Sequence, residues 1–494
     1  MKVLFVYPVF PDTYWSFRHA LKFEEKKAAF PPLGLLTISS MLPEEWERRL
    51  VDMNVESLDP RDIEWADMVF VSAMIVQKES LEEVVRLCRQ LKTKVAVGGP
   101  YVSTSAEQLP DADHIFVGEA ETTLPEFLAD LEAGTAKSLY EAEDKPSLLG
   151  TPVPDFSLIS IDNYSAMNIQ YSRGCPFNCE FCDIIEIYGR VPRTKSNEQM
   201  VAEFDALKET GWRGMVFIVD DNFIGNKKNV RKLLPSMVEW SEENEFPFSF
   251  LTEASVNLAE DDALLELMQA ARFRRVFLGI ETPVEESLKE AQKSQNTRRG
   301  LLESVHKIQS YGMEVMAGFI VGFDSDPEDI FERQIEFIRL SGIPLAMVGL
   351  LNALPDTQLW RRLEKEGRLL EESSGNNTDC SLNFVPVMEQ SRLIEGYKSI
   401  LRDIYSPREY YRRALDCLSR FKQDSLGPRE FKPVADLKAF VRLILTLGVR
   451  ESSRFQFWKY LFRVVTLYRR DFAHGMTLAA MGYHFRRVTE AYCE

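Results

Sequence analysis

The sequence is poor in cysteine and histidine, and it has no long apolar segment. Seven of its 494 residues are cysteine and five are histidine, which is too little cysteine for a disulfide scaffold. The longest nearly apolar stretch, Ala439 to Val449, is interrupted by Arg442 and is too short to span a bilayer. The chain begins Met1-Lys2-Val3 and then lacks a small-residue cleavage site, so we expect no secretory signal. These absences predict a cytoplasmic protein, in which clustered cysteines indicate metal or redox chemistry.

Positive charge is scarce in most of the chain and concentrated at its end. The net charge is −17, yet residues 391–494 carry 20 basic and 11 acidic side chains. The preceding residues carry 39 basic and 65 acidic side chains. Because an acidic body argues against a nucleic-acid track, we expect no nucleic-acid partner. The composition is otherwise that of an ordinary globular protein, with 45% hydrophobic and 27% charged residues.

Strand and helix patterns alternate along the first quarter of the chain. Apolar strands separated by single helices predict a parallel, doubly wound α/β sheet. The predicted strands are Val3–Tyr7, Arg49–Asp52, Met68–Ser72, Lys94–Val97 and His114–Val117, and the predicted helices include Leu33–Leu42 and Glu79–Lys92. Ligands of such sheets bind at the carboxyl ends of the strands. We therefore expect a ligand near Ser72-Ala73, Gly98-Gly99 and Gly118-Glu119.

A second alternating pattern begins after a proline-rich connector. Its six predicted strands are Met167–Tyr171, Met215–Asp220, Phe248–Glu253, Arg275–Ile280, Glu314–Ile320 and Ala346–Leu351. These units are too few for a complete eight-fold barrel and predict a partial (β/α)6 barrel with its chemistry at the C-terminal rim. From about residue 390 only helical patterns remain. We divide the chain into an N-terminal domain (1–135), a linker (136–164), a barrel (165–385) and a basic α-helical domain (386–494).

Three cysteines stand together directly after the first predicted barrel strand. The segment reads Cys175-Pro-Phe-Asn-Cys179-Glu-Phe-Cys182. Three thiolates can hold a [4Fe–4S] cluster and leave one iron open to a substrate or cofactor. The alternative is a zinc knuckle that borrows Cys380 or a histidine, although zinc sites usually pair two CxxC units and no second pair is present.

This segment resembles the signature of the radical S-adenosylmethionine (SAM) superfamily, CxxxCxφC, with Phe181 as the aromatic residue. The resemblance implies that Cys175, Cys179 and Cys182 ligate the cluster and that the open iron binds SAM. It further implies that an external donor of the flavodoxin or ferredoxin type reduces the cluster, and that an electron from the cluster cleaves SAM to methionine and a 5′-deoxyadenosyl radical. That radical abstracts hydrogen from an unactivated carbon. The resemblance also implies a SAM site at the strand ends, formed by Phe181, Asp221, Glu253, Glu281, Gly318 and Gly322.

The N-terminal domain, over residues 1 to about 130, resembles a cobalamin-binding module with a Rossmann-like fold. The resemblance implies that its strand-end loops bind cobalamin through Asp52, Ser72, Ala73, Gly98, Gly99, Gly118 and Glu119. The motif DxHxxG, whose histidine ligates cobalt in methionine-synthase-type modules, is replaced here by Asp52-Met53-Asn54-Val55-Glu56. We therefore expect no histidine ligand to cobalt from this loop. A Rossmann-like domain without a cofactor is the alternative.

The basic C-terminal segment interleaves cations with aromatic residues, as in Tyr410-Tyr411-Arg412-Arg413 and in the stretch from Arg454 to Arg463. Such a pattern suits an anionic membrane surface, with aromatic rings at headgroup level and cations on phosphates. A helical cap that packs its apolar stripe on the barrel and exposes its arginines is an equal alternative. Nucleic-acid binding is a third alternative, although the segment contains no recognisable nucleic-acid-binding module.

The order of the three regions resembles the cobalamin-dependent radical SAM enzymes that include hopanoid C-2 methyltransferases and bacteriochlorophyll-pathway methylases. Residues 169–193 and 217–226 look most like the hopanoid enzymes. The resemblance implies a C-methyltransferase that moves a methyl group from SAM through methylcobalamin to an unactivated carbon of an apolar substrate, a hopanoid-type polycyclic lipid. For that substrate we expect peripheral contact with the inner face of the membrane. The alternatives are cyclisation or rearrangement of a tetrapyrrole or other substrate without methyl transfer, and a non-enzymatic cobalamin or redox sensor.

Overall fold

The computed structural model describes the whole chain except residues 110, 143, 371–372, 377, 379, 421–432 and 494. Two six-stranded parallel sheets follow one another along the sequence, and a helical region succeeds them. This arrangement confirms the predicted fold class, an α/β protein with a doubly wound first domain, a partial barrel and a helical C-terminal region.

The first sheet has the strand order β2-β1-β3-β4-β5-β6. Its strands are β1 (Lys2–Tyr7), β2 (Glu47–Asp52), β3 (Met68–Ser72), β4 (Lys94–Gly98), β5 (His114–Val117) and β6 (Leu139–Glu141), and its helices are α1 (Arg18–Glu24), α2 (Leu33–Met41), α3 (Pro60–Trp65), α4 (Lys78–Leu91), α5 (Pro100–Ser105) and α6 (Ala120–Ala133). Alternate β1 side chains are buried in separate clusters, Leu4 and Val6 in one, Val3 and Phe5 in the other. Both faces of the sheet are therefore covered.

A sixth strand lies inside the segment that the sequence analysis assigns to a linker. β6 is within residues 136–164 and pairs with β5 through Ile115 and Leu139. It is a three-residue edge strand in which only the central Tyr140 is buried. Because an edge strand needs no continuous apolar run, its sequence resembles that of a loop.

The second sheet has the order β14-β13-β12-β11-β10-β7, so neighbouring main strands follow one another in sequence. Its strands, with a separate two-stranded ribbon β8–β9, are β7 (Met167–Ile169), β8 (Ser172–Arg173), β9 (Arg193–Thr194), β10 (Gly214–Ile218), β11 (Phe248–Ala254), β12 (Phe273–Glu281), β13 (Glu314–Val321) and β14 (Ala346–Leu350). Its helices are α7 (Ile184–Ile187), α8 (Asn197–Glu209), α9 (Lys227–Glu243), α10 (Asp262–Ala270), α11 (Glu285–Glu290), α12 (Leu301–Ser310), α13 (Ile330–Ser341) and α14 (Gln358–Lys365).

The two faces of the second sheet have different surroundings. Val216 and Ile218 of β10 are completely buried, as expected for side chains that pack against the outer helices. Because side chains alternate along a strand, Phe217 belongs to the opposite, inner face. Glu253 and Phe277 pair in register on β11 and β12, so they share a face. This singly wound sheet is a half-barrel whose inner face is free to bind ligands.

The C-terminal region consists of α15 (Gln390–Ile404), α16 (Pro407–Arg420), α17 (Pro433–Leu443), a π-helical segment (Ile444–Arg450), α18 (Arg454–Leu467) and α19 (Phe472–Cys493). The last helix, α19, packs on the beginning of the chain. The rings of Tyr14 and Phe485 stack with centroids 4.9 Å apart, and the Tyr492 hydroxyl donates to the Asp12 carbonyl at 3.0 Å. Across the described ranges, no helix combines the length and apolar character needed to cross a bilayer.

Candidate functional site at the meeting edges of two sheets

The three clustered cysteines lie on a loop closed at its base by the β8–β9 ribbon. Arg173 pairs with Arg193 in this ribbon, and the Cys175 amide donates to the Gly189 carbonyl at 3.2 Å. Gly174 has φ +95°, and a Cβ there would lie 2.8 Å from the Gly189 oxygen. Only glycine fits this close approach without strain. The loop therefore has a fixed base from which the cysteines project.

Side-chain amides lie near two of the three cysteine sulfurs. The Asn222 amide lies 3.8 Å from the Cys175 sulfur, and the Gln295 amide lies 3.7 Å from the Cys179 sulfur. Burial raises the pKa of the Cys175 and Cys182 thiols, so these thiols lose their protons readily only to a bound cation. Three sulfur ligands with amide donors suit an iron–sulfur cluster. Cys380 lies apart, with its thiol 3.5 Å from the Tyr492 carbonyl.

Two consecutive carboxylates at the end of β10 support the cysteine loop. Asp220 accepts hydrogen bonds from the Tyr171 amide at 2.7 Å and the Ser172 hydroxyl at 2.6 Å. Asp221, predicted for the SAM site, accepts from the Gly174 amide at 2.8 Å. Burial raises the pKa of Asp221 to about 7. The sequence analysis did not single out Asp220 as a functional residue, although it directly precedes Asp221.

A second acidic pair stands on the inner face of the half-barrel. Glu253 has no hydrogen-bond partner among the described residues, and burial, followed by the charge of Asp221, raises its pKa to about 8. Glu281 forms a buried ion pair with Lys293. Burial lowers the pKa of Lys293, but Glu281 and the Cys179 thiol outweigh that effect and raise it to about 12. Glu253 is thus the acid left available to a ligand.

Lys293 is a site residue that the sequence did not predict. Its ammonium lies 5.7 Å from the centre of the Phe181 ring, which places it beside the cysteine loop. It stands in a polar segment, Gln292–Asn296, that has no periodic pattern. No sequence signal distinguishes it from a solvated surface lysine.

The two predicted SAM-site glycines have different surroundings. A Cβ on Gly318 would lie 3.2 Å from the Phe277 ring and 3.9 Å from a Glu281 carboxylate oxygen. Gly322 has φ +111°, and a Cβ there would meet Leu393 of α15 at 3.2 Å. The rings of Phe181 and Phe323 are 6.3 Å apart. The structure therefore places Gly318 beside Glu281, whereas Phe181 lies near Phe323, the neighbour of Gly322, and Gly322 itself approaches the C-terminal region.

The residues predicted for cobalamin meet at the carboxyl edge of the first sheet. The Ala73 amide donates to the Gly98 carbonyl at 3.3 Å, and the Gly118 amide donates to the Ser103 hydroxyl at 3.0 Å. Gly99 has φ +101°, and a Cβ there would lie 2.6 Å from the Ser72 hydroxyl oxygen. This edge consists of backbone and small side chains, so a large flat ligand can approach it closely.

Asp52, also predicted for cobalamin, is engaged within the protein. Its carboxylate accepts from the Asn54 amide at 2.9 Å and from the Tyr164 hydroxyl at 3.0 Å, and burial raises its pKa. Two histidines of the first domain are also engaged: His19 pairs with Asp12, and His114 lies 2.6 Å from the Lys137 carbonyl.

Glu119 joins the two halves of the site. One carboxylate oxygen lies 2.7 Å from Arg193 and the other lies 2.7 Å from Arg173. Arg173 also bonds Glu121 at 2.9 Å. These four side chains are at most 15% exposed. They form an interdomain ion-pair network between the first sheet and the base of the cysteine loop, which sequence reasoning could not find because the partners belong to different domains.

Aromatic rings from both domains pack against one another in a cluster that we call the aromatic wall. Trp15 follows β1 in the chain, and its ring stacks on that of Phe217 with centroids 6.2 Å apart. The centroids of the Trp15 and Phe277 rings are 5.2 Å apart. The centroids of the Phe30 and Phe217 rings are 5.3 Å apart. Trp15, Phe30 and Phe277 are only half-buried, so part of each ring remains exposed.

Comparisons with known proteins match each region of the chain. Residues 25–128 match the B12 binding domain, residues 169–338 match the Radical SAM superfamily and residues 357–494 match a domain of unknown function. The chain is 42% identical to an uncharacterised methyltransferase of Synechocystis, over 99% of this chain and 92% of that protein. It is 35% identical to the hopanoid C-2 methylase of Rhodopseudomonas palustris, over 98% and 92% respectively.

Solved structures share the architecture. The cobalamin-dependent SAM radical enzyme OxsB aligns with a TM-score of 0.64 and 17% identity, over 99% of this chain and 80% of that chain. The radical SAM methyltransferase TsrM of Kitasatospora setae aligns with a TM-score of 0.55 and 14% identity, over 75% and 77%. At these identities the likeness shows the fold.

Proposed function

The chain belongs to the cobalamin-dependent radical SAM methyltransferases, and we propose that it methylates an unactivated carbon of a hopanoid-type polycyclic lipid. Its cofactors are a [4Fe–4S] cluster, SAM and cobalamin, as the sequence predicted. When bound, these groups supply the radical and the methyl group, and the protein contributes binding, orientation and exclusion of water.

The residues at the two edges have distinct proposed roles. Cys175, Cys179 and Cys182 would hold the cluster, with Asp221 fixing the loop that carries them. Lys293 would offset negative charge beside the cysteines, because it is a buried cation near two of their sulfurs. Glu253 would hold its proton on the carboxyl group near neutral pH until a cationic ligand approaches. Backbone at Ser72, Gly99 and Gly118 would cradle cobalamin.

The interdomain ion-pair network is the observation that carries the proposal. Glu119 ties the carboxyl edge of the first sheet to Arg173 and Arg193, which flank the cysteine loop. The network would therefore hold the two proposed cofactor-binding edges close to each other. Delivery of a methyl group to a radical carbon needs this proximity, since reacting groups must be positioned within contact distance.

The aromatic wall supports an apolar substrate. Trp15, Phe30 and Phe277 pack against one another or against Phe217 and each keeps an exposed part of its ring. We propose that these exposed parts contact the substrate, since an aromatic surface suits a polycyclic hydrocarbon better than a polar molecule. The relative named hopanoid C-2 methylase supports the same substrate class. We also propose a cytoplasmic location, an external reductant of the flavodoxin or ferredoxin type, and reversible contact with the inner membrane face.

The test is a product assay on anaerobically reconstituted protein. A detergent-solubilised hopanoid hydrocarbon is incubated with SAM bearing a trideuteromethyl group and a chemical reductant, and products are analysed by mass spectrometry. We expect the mass gain of one labelled methyl group, absent in Cys175→Ala. Conversion without a mass gain would indicate rearrangement and overturn the methyl-transfer assignment. Labelling of a bacteriochlorophyllide but not of the hopanoid would overturn the substrate alone.

A further inference from the structure

Exposed apolar side chains are concentrated in one stretch of the C-terminal region. Of the 20 large hydrophobic residues that are exposed in the described part of the chain, ten lie between residues 434 and 467. They are Val434, Leu437, Val441, Leu445, Val449, Phe455, Trp458, Phe462, Val465 and Leu467. Phe455 and Phe462 are 68% and 69% exposed. Such a concentration on a folded domain marks a contact surface rather than scattered exposure.

The spacing shows that this stretch has two apolar faces. In α18, Phe455, Trp458, Phe462 and Val465 recur at helical intervals on the exposed side. The opposite side is already packed, with Phe457, Tyr460 and Val464 fully buried in the core. A surface helix that needed only to cover the barrel would expose polar residues outward. We call the exposed side, residues 434–467, the outer apolar face.

Positive charge surrounds the outer apolar face. Residues 434–470 contain eight Lys and Arg but two acidic residues, Asp436 and Glu451, and Glu451 is paired with Arg486 at 2.6 Å. Arg454, Lys459 and Arg463 alternate with the exposed rings of α18 and are themselves exposed. An apolar face studded with cations is complementary to anionic headgroups above an acyl layer. A second copy of the chain would bring the same cations together, which is unfavourable.

We propose that the outer apolar face is a membrane-docking surface, with the rings of Phe455, Trp458 and Phe462 entering the headgroup layer and the neighbouring cations contacting lipid phosphates. The proposal rests on the proposed function in one respect: docking would give the enzyme access to its lipid substrate. The sequence left a membrane surface and a packed helical cap as alternatives for this segment. Because α17 and α18 are apolar on both sides, one side packs on the core while the other side is available to a membrane.

The test is co-sedimentation of the full-length protein with vesicles, without substrate or turnover. Vesicles of phosphatidylglycerol and phosphatidylcholine should bind the protein at low salt and release it at high salt, and pure phosphatidylcholine should bind it more weakly. Phe455→Ser combined with Phe462→Ser should weaken partitioning about tenfold or more. Arg454→Gln, Lys459→Gln and Arg463→Gln together should weaken binding at low salt and reduce its salt dependence. The matched control, Val385→Ser with Val387→Ser, removes exposed apolar groups elsewhere and should change nothing.

Two results would overturn the docking surface. One is wild-type protein that stays in the supernatant with anionic vesicles at low salt. The other is a dimer in solution that becomes monomeric in the Phe455→Ser, Phe462→Ser variant, which would assign the face to a second copy. Neither result depends on methylation, because the product assay uses detergent-solubilised substrate. Vesicle binding without methylation, or the reverse, would therefore separate failure of the proposed function from failure of the docking surface.

Discussion

The first sheet presents its ligand edge with backbone and small side chains, whereas the second presents charged and sulfur-bearing side chains. At the edge of the first sheet, Gly99 leaves no room for a side chain beside Ser72. Inside the half-barrel, Glu253, Glu281 and Lys293 stand close to the cysteine loop. Both sheets are parallel and six-stranded, so strand direction alone does not explain the difference.

The topology of the two sheets explains why their ligand-binding edges differ. A doubly wound sheet is covered by helices on both faces, so a ligand can reach only the strand ends, where the backbone must come close. A half-barrel leaves its inner face open, so whole rows of side chains can face the ligand. The first site should therefore be sensitive mainly to side-chain size, and the second to charge and ligand identity.

The largest predicted effect separates the two cofactor sites. Changing Cys175, Cys179 or Cys182 to Ala should eliminate the cluster absorbance and reduce SAM cleavage more than about 100-fold, because the cofactor carries the chemistry. Cobalamin binding should persist, since no cysteine lies at the edge of the first sheet. Optical spectra of the reconstituted protein measure both cofactors. Cys493→Ser is the control and should retain both cofactors. A cluster retained when Cys175, Cys179 and Cys182 are all changed to Ala would disprove the ligand assignment.

The converse change tests the size limit of the first sheet. Gly99→Val should weaken cobalamin binding about tenfold or more and cost about 1–3 kcal/mol in stability, because the new side chain meets Ser72 and φ is positive. The cluster should be retained. Gly134→Val is the matched control, since Gly134 has φ +72° but no atom near its Cβ position. Equal cobalamin loss in both variants would show that backbone strain, not space at the edge, is responsible.

A third variant tests the connection between the sheets. Glu119→Gln should lower methylated product about 10- to 100-fold while cobalamin binding and SAM cleavage without substrate persist, because misplacement of reacting groups is costly. The lost partner of two buried arginines should also cost about 2–4 kcal/mol in the free energy of unfolding. Assays of product, SAM cleavage and urea unfolding distinguish these effects. Glu126→Gln, which removes an exposed pair with Lys137, should be neutral, and coupled loss of SAM cleavage in Glu119→Gln would refute a positioning role.

The smallest effect concerns protonation inside the half-barrel. Glu253 has a folded-state pKa of about 8 against an ordinary value of 4.5, so folding favours its protonated form. Its stabilising contribution is complete below pH 4.5 and is lost as pH rises through about 8. Glu253→Gln should therefore flatten the pH dependence of the free energy of unfolding in the cofactor-free protein. The expected change is about 1–3 kcal/mol, because the Glu253 side chain is partly exposed to solvent.

The measurement for Glu253 is the urea midpoint as a function of pH. The exposed Glu260→Gln serves as control and should reproduce the wild-type curve. Superimposable curves for Glu253→Gln and wild type would show that the carboxyl group ionises normally in the folded protein.

The sequence predicted the main strands of both sheets because most of them are buried apolar runs bounded by turn residues. It missed β6 and the β8–β9 ribbon, whose few residues form strands only because a neighbouring strand or a closed loop supplies the partner. Among the site residues, the cysteines have a diagnostic spacing and the acidic residues follow predicted strands. Lys293 and the pairing of Glu119 with Arg173 arise from tertiary contacts between distant segments, for which local sequence contains no signal.

The packing of α19 on the first residues has a consequence for biosynthesis. The ribosome releases the first sheet hundreds of residues before α19 exists, and domains near the N-terminus generally fold first. During that interval the Tyr14 ring lacks its stacking contact with Phe485, and the Asp12 carbonyl lacks the hydrogen bond from the Tyr492 hydroxyl. Contacts of such sequence separation close late, because the intervening chain must first be ordered. A nascent chain therefore completes the packing of its N-terminal domain only when α19 has emerged.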